Sequence, residues 1–170
     1  MNELILGGAR SGKSAQAEAR ASATGAEVVY VATATADDSE MADRIACHQR
    51  QRPEEWALVE EPLQLGEAIR REAAPERCLL VDCLSLWLVS ALGQGESVFA
   101  RERADLLAAL AEVDGRVILV SNEIGWGVVP LGEETRQYVD ELGRLNQAVA
   151  AACNRVLLVA AGLPLTLKDE

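Results

Sequence analysis

The sequence predicts an α/β domain in which a mostly parallel sheet is covered by helices on both faces. Apolar runs alternate with helical patterns along the chain, which indicates parallel strands joined by right-handed crossovers. Aromatic residues make up only 4% of the chain, so the core must be aliphatic, as in sheets covered by helices. The length of 170 residues is that of one ordinary domain, and no linker divides residues 1–170.

Five apolar runs have the composition of buried parallel strands, at residues 3–6, 27–31, 78–81, 117–120 and 155–160. Helical patterns occupy most of the intervals, at residues 13–23, 38–51, 63–72, 101–113 and 135–154. Residues 93–97 include two glycines and are expected to form a flexible surface loop. Because ligands of such sheets bind at the carboxyl ends of strands, the functional residues are expected there.

The composition argues against several classes of function. The formal net charge of −11 repels a polyphosphate backbone, so nucleic acid is not expected as a partner, whereas a small phosphorylated ligand needs only a local cluster of donors. No apolar run approaches the roughly 20 residues that span a bilayer, so membrane insertion is not expected. Four cysteines without C-x-x-C spacing, and no secretory segment at the N terminus, predict reduced, mostly buried thiols in a cytoplasmic protein.

The residues after the first apolar run match the pattern G-x-x-x-x-G-K-[ST], which holds the phosphates of a nucleoside triphosphate. Glycines let the backbone curl so that its N–H groups point at phosphate oxygens, and the following helix adds the partial positive charge of its N terminus. Lys13 is expected to reach the β and γ phosphates, and the Ser14 hydroxyl to bind Mg²⁺. The position between a strand and a helix disfavours the alternative of a chance glycine-rich turn. The motif consists of Gly7, Gly8, Ala9, Arg10, Ser11, Gly12, Lys13 and Ser14.

An acidic residue is expected at the end of a neighbouring strand, where a carboxylate can hold the metal or its water shell. Asp82 directly follows the apolar run 78–81 and fits this position. The alternative is a structural role, in which Asp82 caps a helix that begins near Leu84. If the enzyme is a kinase, a carboxylate near the γ-phosphate can accept the hydroxyl proton, and Asp82 and Glu123 both remain candidates.

Trp126 lies between two glycines in the segment that follows the strand at residues 117–120. Its spacing leaves two interpretations open. One is a tight loop close to a ligand, and the other is a strand-to-helix connection whose tryptophan packs on the core. Trp56 and Trp87 are expected to belong to the core.

His48 is the only histidine of the chain, and Arg44, Arg50 and Arg52 lie close to it. Arg44 and Arg52 are each four residues from His48, so a continuous helix would place all three on one face. Arginines gather anionic oxygens, and a neutral imidazole beside a bound triphosphate is a competent nucleophile for phosphorus. His48 is therefore a candidate catalytic residue, and an ordinary surface histidine is the alternative.

Five motifs, in this order along the chain, resemble those of the bifunctional adenosylcobinamide kinase/adenosylcobinamide-phosphate guanylyltransferase family of cobalamin biosynthesis. The similarity extends from the first strand to Gly162. The motifs are the segment of residues 7–14, Tyr30-Val31-Ala32-Thr33-Ala34, Glu40-Met41-Ala42-Asp43-Arg44-Ile45, His48 with Arg52-Pro53 and Trp56, and Asn122-Glu123 with Gly125 and Gly127-Val128-Val129-Pro130.

The resemblance implies an enzyme that phosphorylates adenosylcobinamide with ATP or GTP and then attaches GMP from GTP to adenosylcobinamide phosphate. It also implies a RecA-like P-loop fold, a homotrimer, and a second reaction that passes through a GMP-histidine intermediate, for which His48 is the matching residue. In addition to residues 7–14, the family's nucleotide contacts correspond to Ala32, Thr33, Ala34, Gln49, Arg50, Gln51, Arg52, Glu60 and Asp82.

Two other functions are compatible with a P-loop motif. A kinase for a small molecule or nucleotide would leave His48 without a role. A GTP-dependent switch would bind a partner without transferring any group, but the sequence contains no N-K-x-D motif for guanine. The preference for GTP therefore follows from the resemblance alone.

Overall fold

The computed structural model describes residues 1–34, 53 and 55–170. Within these residues the chain alternates between strands and helices, as the sequence predicts. In chain order the elements are β1 (Asn2–Gly7), α1 (Lys13–Ser22), β2 (Glu27–Ala32), β3 (Ala57–Glu60), α2 (Leu65–Glu72), β4 (Arg77–Asp82), α3 (Leu84–Gly93), α4 (Glu96–Glu112), β5 (Arg116–Asn122), α5 (Glu133–Ala152), β6 (Arg155–Ala160) and β7 (Leu163–Asp169).

The described strands form one sheet in the order β3-β2-β4-β5-β1-β6-β7. Every neighbouring pair is parallel except β6 and β7, which are antiparallel. The central strands β1, β4 and β5 are buried almost throughout, as expected for aliphatic strands covered on both faces. The carboxyl ends of β1, β2, β3, β4 and β5 therefore lie along one edge of the sheet.

The two faces of the sheet have separate apolar cores, because successive side chains of a strand point to opposite faces. Leu4 and Leu6 of β1 belong to the core that includes residues of α2, α3, α4 and α5. Ile5 belongs to the other core, where the fully buried Ala17 and Ala21 of α1 pack. The predicted three-layer α/β class, with helices on both faces, is confirmed.

The structure corrects several predicted elements. Strands β3 and β7 were not predicted, and α4 begins at Glu96, five residues before the predicted start at residue 101. The prediction of a flexible loop at residues 93–97 is wrong, since Gly93 ends α3 and only two residues precede α4. Gly95 has a φ of 108°, and this backbone conformation lets the chain turn directly from one helix into the next.

Some predictions on these elements lie outside the described residues, among them the helix at residues 38–51. Of the four cysteines, Cys78, Cys83 and Cys153 are buried free thiols, as predicted, and Cys47 is not among the described residues. Within the described part of the chain, no helix has the length and apolarity needed to cross a membrane.

Candidate active site

The predicted phosphate-binding segment is a tight loop between β1 and α1. Gly12 has a φ of 91° and Arg10 a φ of 56°, so the chain curls through the left-handed region twice within three residues. The Ser11 N–H donates to the Gly8 carbonyl at 3.2 Å, which closes the turn. The Gly162 N–H donates to the Ser11 carbonyl at 2.8 Å and ties the loop to the connection between β6 and β7.

Gly7 is required by the close approach of this loop to the sheet. A Cβ atom on Gly7 would lie 2.4 Å from the Ser11 hydroxyl oxygen and 2.7 Å from the Val159 carbonyl oxygen. The hydroxyl can rotate away, but the carbonyl belongs to β6, which pairs with β1 at this position. A residue larger than glycine at position 7 would therefore prevent the contacts that hold the loop in its curled form.

The N terminus of α1 is open to an anion. Its first turn contains no acidic side chain, and its N-cap residue makes no side-chain hydrogen bond, so the first N–H groups keep their donor capacity. Lys13, the first residue of α1, donates from Nζ to the Gly8 carbonyl at 3.2 Å, which places the ammonium group over the loop. Ser14 follows in the same turn and is half-buried. The positive charge of Lys13 and the N–H donors of the first turn of α1 therefore lie close together, as the binding of a triphosphate requires.

Three other predicted residues lie in one row at the same edge of the sheet. In the pairing of the strands, Ala32 is opposite Glu60 on one side and opposite Asp82 on the other. The Tyr30 hydroxyl donates to Asp82 Oδ2 at 3.2 Å and orients this carboxylate. The proposed capping role of Asp82 is wrong, because the N-cap residue of α3 is Cys83.

Thr33, for which the resemblance implies a nucleotide contact, also has a structural role that the sequence did not indicate. Its side chain is fully buried. Its hydroxyl donates to the Cys83 carbonyl at 2.7 Å and accepts from the Cys83 N–H at 2.9 Å. The Thr33 hydroxyl therefore fixes the backbone directly after Asp82, and through it the position of that carboxylate. Ala34, the next residue, is half-buried.

Residues 124–131, here named the Trp126 loop, lie beside the phosphate-binding loop. Trp126 is 79% exposed, so the interpretation in which it packs on the core is wrong. Its side chain lines a cavity with Glu123, with residues 8–11 and with residues 158–161. Trp87, in contrast, is fully buried, and Trp56 packs at the margin of the core.

Sequence reasoning missed a set of polar side chains that supports this edge. Ser85 accepts a hydrogen bond from Asn122 Nδ2 at 2.9 Å, and its hydroxyl lies 2.9 Å from Cys83 Sγ. Asn146 of α5 donates to the Asn122 carbonyl at 3.0 Å. Ser85 and Asn146 are 61 positions apart in the chain. The spacing of residues along the sequence gives no signal of contacts between elements so far apart.

Cys83 is the one described cysteine next to the predicted catalytic groups. Burial raises the pKa of its thiol, and the neighbouring Asp82 carboxylate raises that pKa further. The group is therefore a neutral thiol at physiological pH, and a neutral thiol is a poor nucleophile. His48 and the adjoining residues Gln49, Arg50, Gln51 and Arg52 lie outside the described residues.

Over residues 3–167, the chain matches the sequence family described as cobinamide kinase / cobinamide phosphate guanyltransferase. The chain belongs to this family. It is 55% identical to the bifunctional adenosylcobalamin biosynthesis protein CobP of Pseudomonas aeruginosa, an alignment that covers 100% of this chain and 99% of that protein. It is 36% identical to the bifunctional adenosylcobalamin biosynthesis protein CobU of Escherichia coli, over 97% of this chain and 98% of that protein.

Solved structures resemble this member of the cobinamide kinase / cobinamide phosphate guanyltransferase family in fold. The RadB recombinase has a TM-score of 0.52 at 16% identity, over 92% of this chain and 73% of RadB. The flagellar accessory protein FlaH of Methanocaldococcus jannaschii has a TM-score of 0.50 at 12% identity, over 99% of this chain and 78% of FlaH. These similarities support the RecA-like P-loop fold and carry no further conclusion.

The predicted family, fold and enzyme class are thus confirmed. The chain is a bifunctional transferase of cobalamin biosynthesis, with cobinamide kinase and cobinamide phosphate guanylyltransferase as its activities. The two alternatives, a kinase without guanylyl transfer and a GTP-dependent switch, do not agree with this family membership.

Proposed function

We propose that the edge formed by the phosphate-binding loop, Asp82 and Glu123 catalyses both reactions, with His48 as the guanylyl carrier. The kinase substrates are adenosylcobinamide and ATP or GTP, and the second step uses GTP and adenosylcobinamide phosphate. The observation that supports this most is the open N terminus of α1, with the Lys13 ammonium group over the loop and a carboxylate at the end of β4.

In the kinase step, the aminopropanol hydroxyl of adenosylcobinamide attacks the γ-phosphorus. A new O–P bond forms, the bond from the γ-phosphorus to the bridging oxygen breaks, and the nucleoside diphosphate leaves. Lys13 and the N–H groups of the loop stabilise the charge on the phosphate oxygens. No protein nucleophile takes part in this step.

Glu123 is the better candidate for the acceptor of the hydroxyl proton. Its side chain lines the same cavity as residues 8–11, and its N–H donates to the Gly7 carbonyl at 3.1 Å, so the end of β5 holds it beside the loop. Asp82 is oriented by the Tyr30 hydroxyl and is proposed as a metal ligand, so its carboxylate already has another role.

Mg²⁺ fits the donors that these residues offer. The described residues contain no group of three His, Cys, Asp or Glu side chains that would enclose a metal. Mg²⁺ needs no such cage, because it takes most of its ligands from phosphate oxygens and water and only one or two from protein. The Ser14 hydroxyl and the Asp82 carboxylate would hold it, and the bound ion would neutralise charge on the phosphates.

Guanylyl transfer is proposed to occur in two displacements. An imidazole nitrogen of His48 attacks the α-phosphorus of GTP, an N–P bond forms, and pyrophosphate leaves with its charge neutralised by the loop and Lys13. A phosphate oxygen of adenosylcobinamide phosphate then attacks the same phosphorus and releases His48, which gives adenosylcobinamide-GDP. Cys83 does not compete, since burial keeps its thiol protonated.

A homotrimer is proposed on the resemblance, and a cytoplasmic location on the free cysteines. One described surface suits a contact between subunits: Leu163, Leu165 and Leu167 alternate along the edge strand β7, and each is more than half exposed. A row of apolar side chains on an unpaired edge is a surface that natural proteins usually cover. Light scattering tests the trimer, and a stable monomer at micromolar concentration would contradict it.

His48→Ala tests the separation of the two reactions. The variant is expected to lose guanylyl transfer, since the sequence contains no second histidine, and to keep phosphorylation of adenosylcobinamide. Lys13→Ala is the matched comparison, because it should impair both reactions. The ratio of the two rates within one preparation is the measurement, and guanylyl transfer at the wild-type rate by His48→Ala would refute the proposed intermediate.

A further inference from the structure

The Trp126 loop exposes apolar side chains that a folded domain would ordinarily bury. Residues 124–131 contain no charged side chain, in a protein with a formal net charge of −11. Trp126 is 79% exposed, Val128 96% and Leu131 99%. Several exposed apolar side chains within one short loop mark a binding surface more often than chance.

The loop is fixed at both ends although its side chains face solvent. At its start, Glu123 Oε1 accepts a hydrogen bond from the Gly125 N–H at 2.8 Å. At its end, Arg136 Nη1 donates to the Pro130 carbonyl at 3.0 Å and to the Leu131 carbonyl at 2.6 Å. Hydrogen bonds therefore hold both ends of the loop, while its apolar side chains face solvent.

The position of the loop indicates what this surface binds. Trp126 lines one cavity with Glu123 and with residues 8–11, so a molecule that rests on the loop reaches the phosphate-binding site directly. The cavity has a volume of about 330 Å³, which accommodates the narrow aminopropanol arm of cobinamide and leaves the corrin ring outside. Trp126 itself lines this cavity, so the Trp126 loop borders it. The leucines of β7 supply a separate apolar row for a contact between subunits.

We infer that the Trp126 loop is the docking surface for the corrin ring of cobinamide, with the Trp126 indole packed against the ring. This inference rests on the proposed function, in which the hydroxyl of the same molecule reaches Glu123 and the γ-phosphate. A corrin ring is broad, with methyl groups on its faces and neutral amides at its rim, and it matches an uncharged surface built on one large aromatic side chain.

The test is the affinity of the full-length protein for adenosylcobinamide, measured by isothermal titration in the presence of a non-hydrolysable ATP analogue and Mg²⁺. Trp126→Ala is expected to weaken binding about tenfold or more, as truncation of a central aromatic side chain does. Trp126→Phe is expected to retain most of the affinity. Val128→Ser is a second variant and should weaken binding by a smaller factor. Val89→Ala, which removes a comparably exposed side chain from α3, is the control and should bind like the wild type.

Three results would overturn the inference. Wild-type affinity in Trp126→Ala would show that the loop does not touch the ring. A changed molecular mass in light scattering would assign the loop to a contact between subunits. A lowered melting temperature without any ligand would show that Trp126 packs against another part of this chain. If the wild-type protein itself neither binds nor phosphorylates adenosylcobinamide, the proposed function fails together with this inference.

Hydroxyl-radical footprinting with mass spectrometry gives an independent measure of the contact. Trp126 is exposed and Trp87 is fully buried, so the free protein should be oxidised at Trp126 and not at Trp87. Adenosylcobinamide is expected to reduce the oxidation of Trp126, and the ATP analogue alone is not. Equal oxidation of Trp126 with and without adenosylcobinamide would contradict the docking surface.

Discussion

Replacing Thr33 with valine tests how the position of Asp82 is maintained. Thr33→Val keeps the shape of the side chain and removes the hydroxyl that bonds both the N–H and the carbonyl of Cys83. The Cys83 carbonyl keeps the hydrogen bond that it accepts from the Trp87 N–H, so only the Cys83 N–H is left unpaired. Leaving one buried polar group unpaired should lower the free energy of unfolding by about 1–3 kcal/mol. For a domain of this size, that loss lowers the melting temperature by roughly 2–12 °C.

The assay is urea and thermal unfolding, followed by the kinase rate of the folded variant. Thr33→Ser is the matched control, because it keeps the hydroxyl and loses one buried methyl group, for a cost of about 1 kcal/mol. We expect Thr33→Val to lower kcat about tenfold or more, since the Asp82 carboxylate loses its fixed position, and Thr33→Ser to have a smaller effect. If Thr33→Val and Thr33→Ser are equally stable and equally active, the reasoning is refuted.

Three further predictions concern the loop, the base and the buried thiols. Gly7→Ala should lower the free energy of unfolding by about 1–3 kcal/mol, whereas Gly8→Ala, whose Cβ would have no atom within 4 Å, should be as stable as the wild type in the same urea titration. Glu123→Gln should lower the kinase kcat in steady-state assays more than it changes the KM for ATP, and an unchanged kcat would exclude Glu123 as the base. Burial raises the pKa of Cys78 to about 11 and that of Cys153 to about 12 from 9.0, so the folded state holds these protons more tightly than the unfolded state. The melting temperature should therefore fall as the pH rises from about 9 towards 11. It should fall less steeply in a Cys78→Ala, Cys153→Ala double variant. An equal change of melting temperature with pH in both proteins would show that these thiols are not the cause.

The fold was predictable where the sequence pattern is strong. Aliphatic runs identified β1, β2, β4, β5 and β6, because a strand buried on both faces is a continuous apolar run. Strand β3 has only four residues and is largely exposed, so it carries little of this pattern. Strand β7 follows β6 after a short turn, and its exposed leucines give no sign of burial on either face.

The candidate site was predictable where a local motif fixes the geometry. The segment of residues 7–14 forms the expected loop, and Asp82 lies at the expected end of a strand. The role of Thr33 was not predictable, since its contact with Cys83 spans 50 residues and depends on how β2 pairs with β4. The exposure of Trp126 was not predictable either, because a tryptophan between two glycines is compatible with the core and with the surface. Such contacts depend on the tertiary structure and leave no spacing in the sequence.

The guanylyl carrier is tested most directly by mass spectrometry of the protein after incubation with GTP and Mg²⁺. We predict one GMP group per chain, labile in acid, on the peptide that contains His48, and no such group in His48→Ala. Subsequent addition of adenosylcobinamide phosphate should remove the group and yield adenosylcobinamide-GDP. A GMP group on any other residue, or none on the wild-type protein while guanylyl transfer proceeds, would contradict the proposed mechanism.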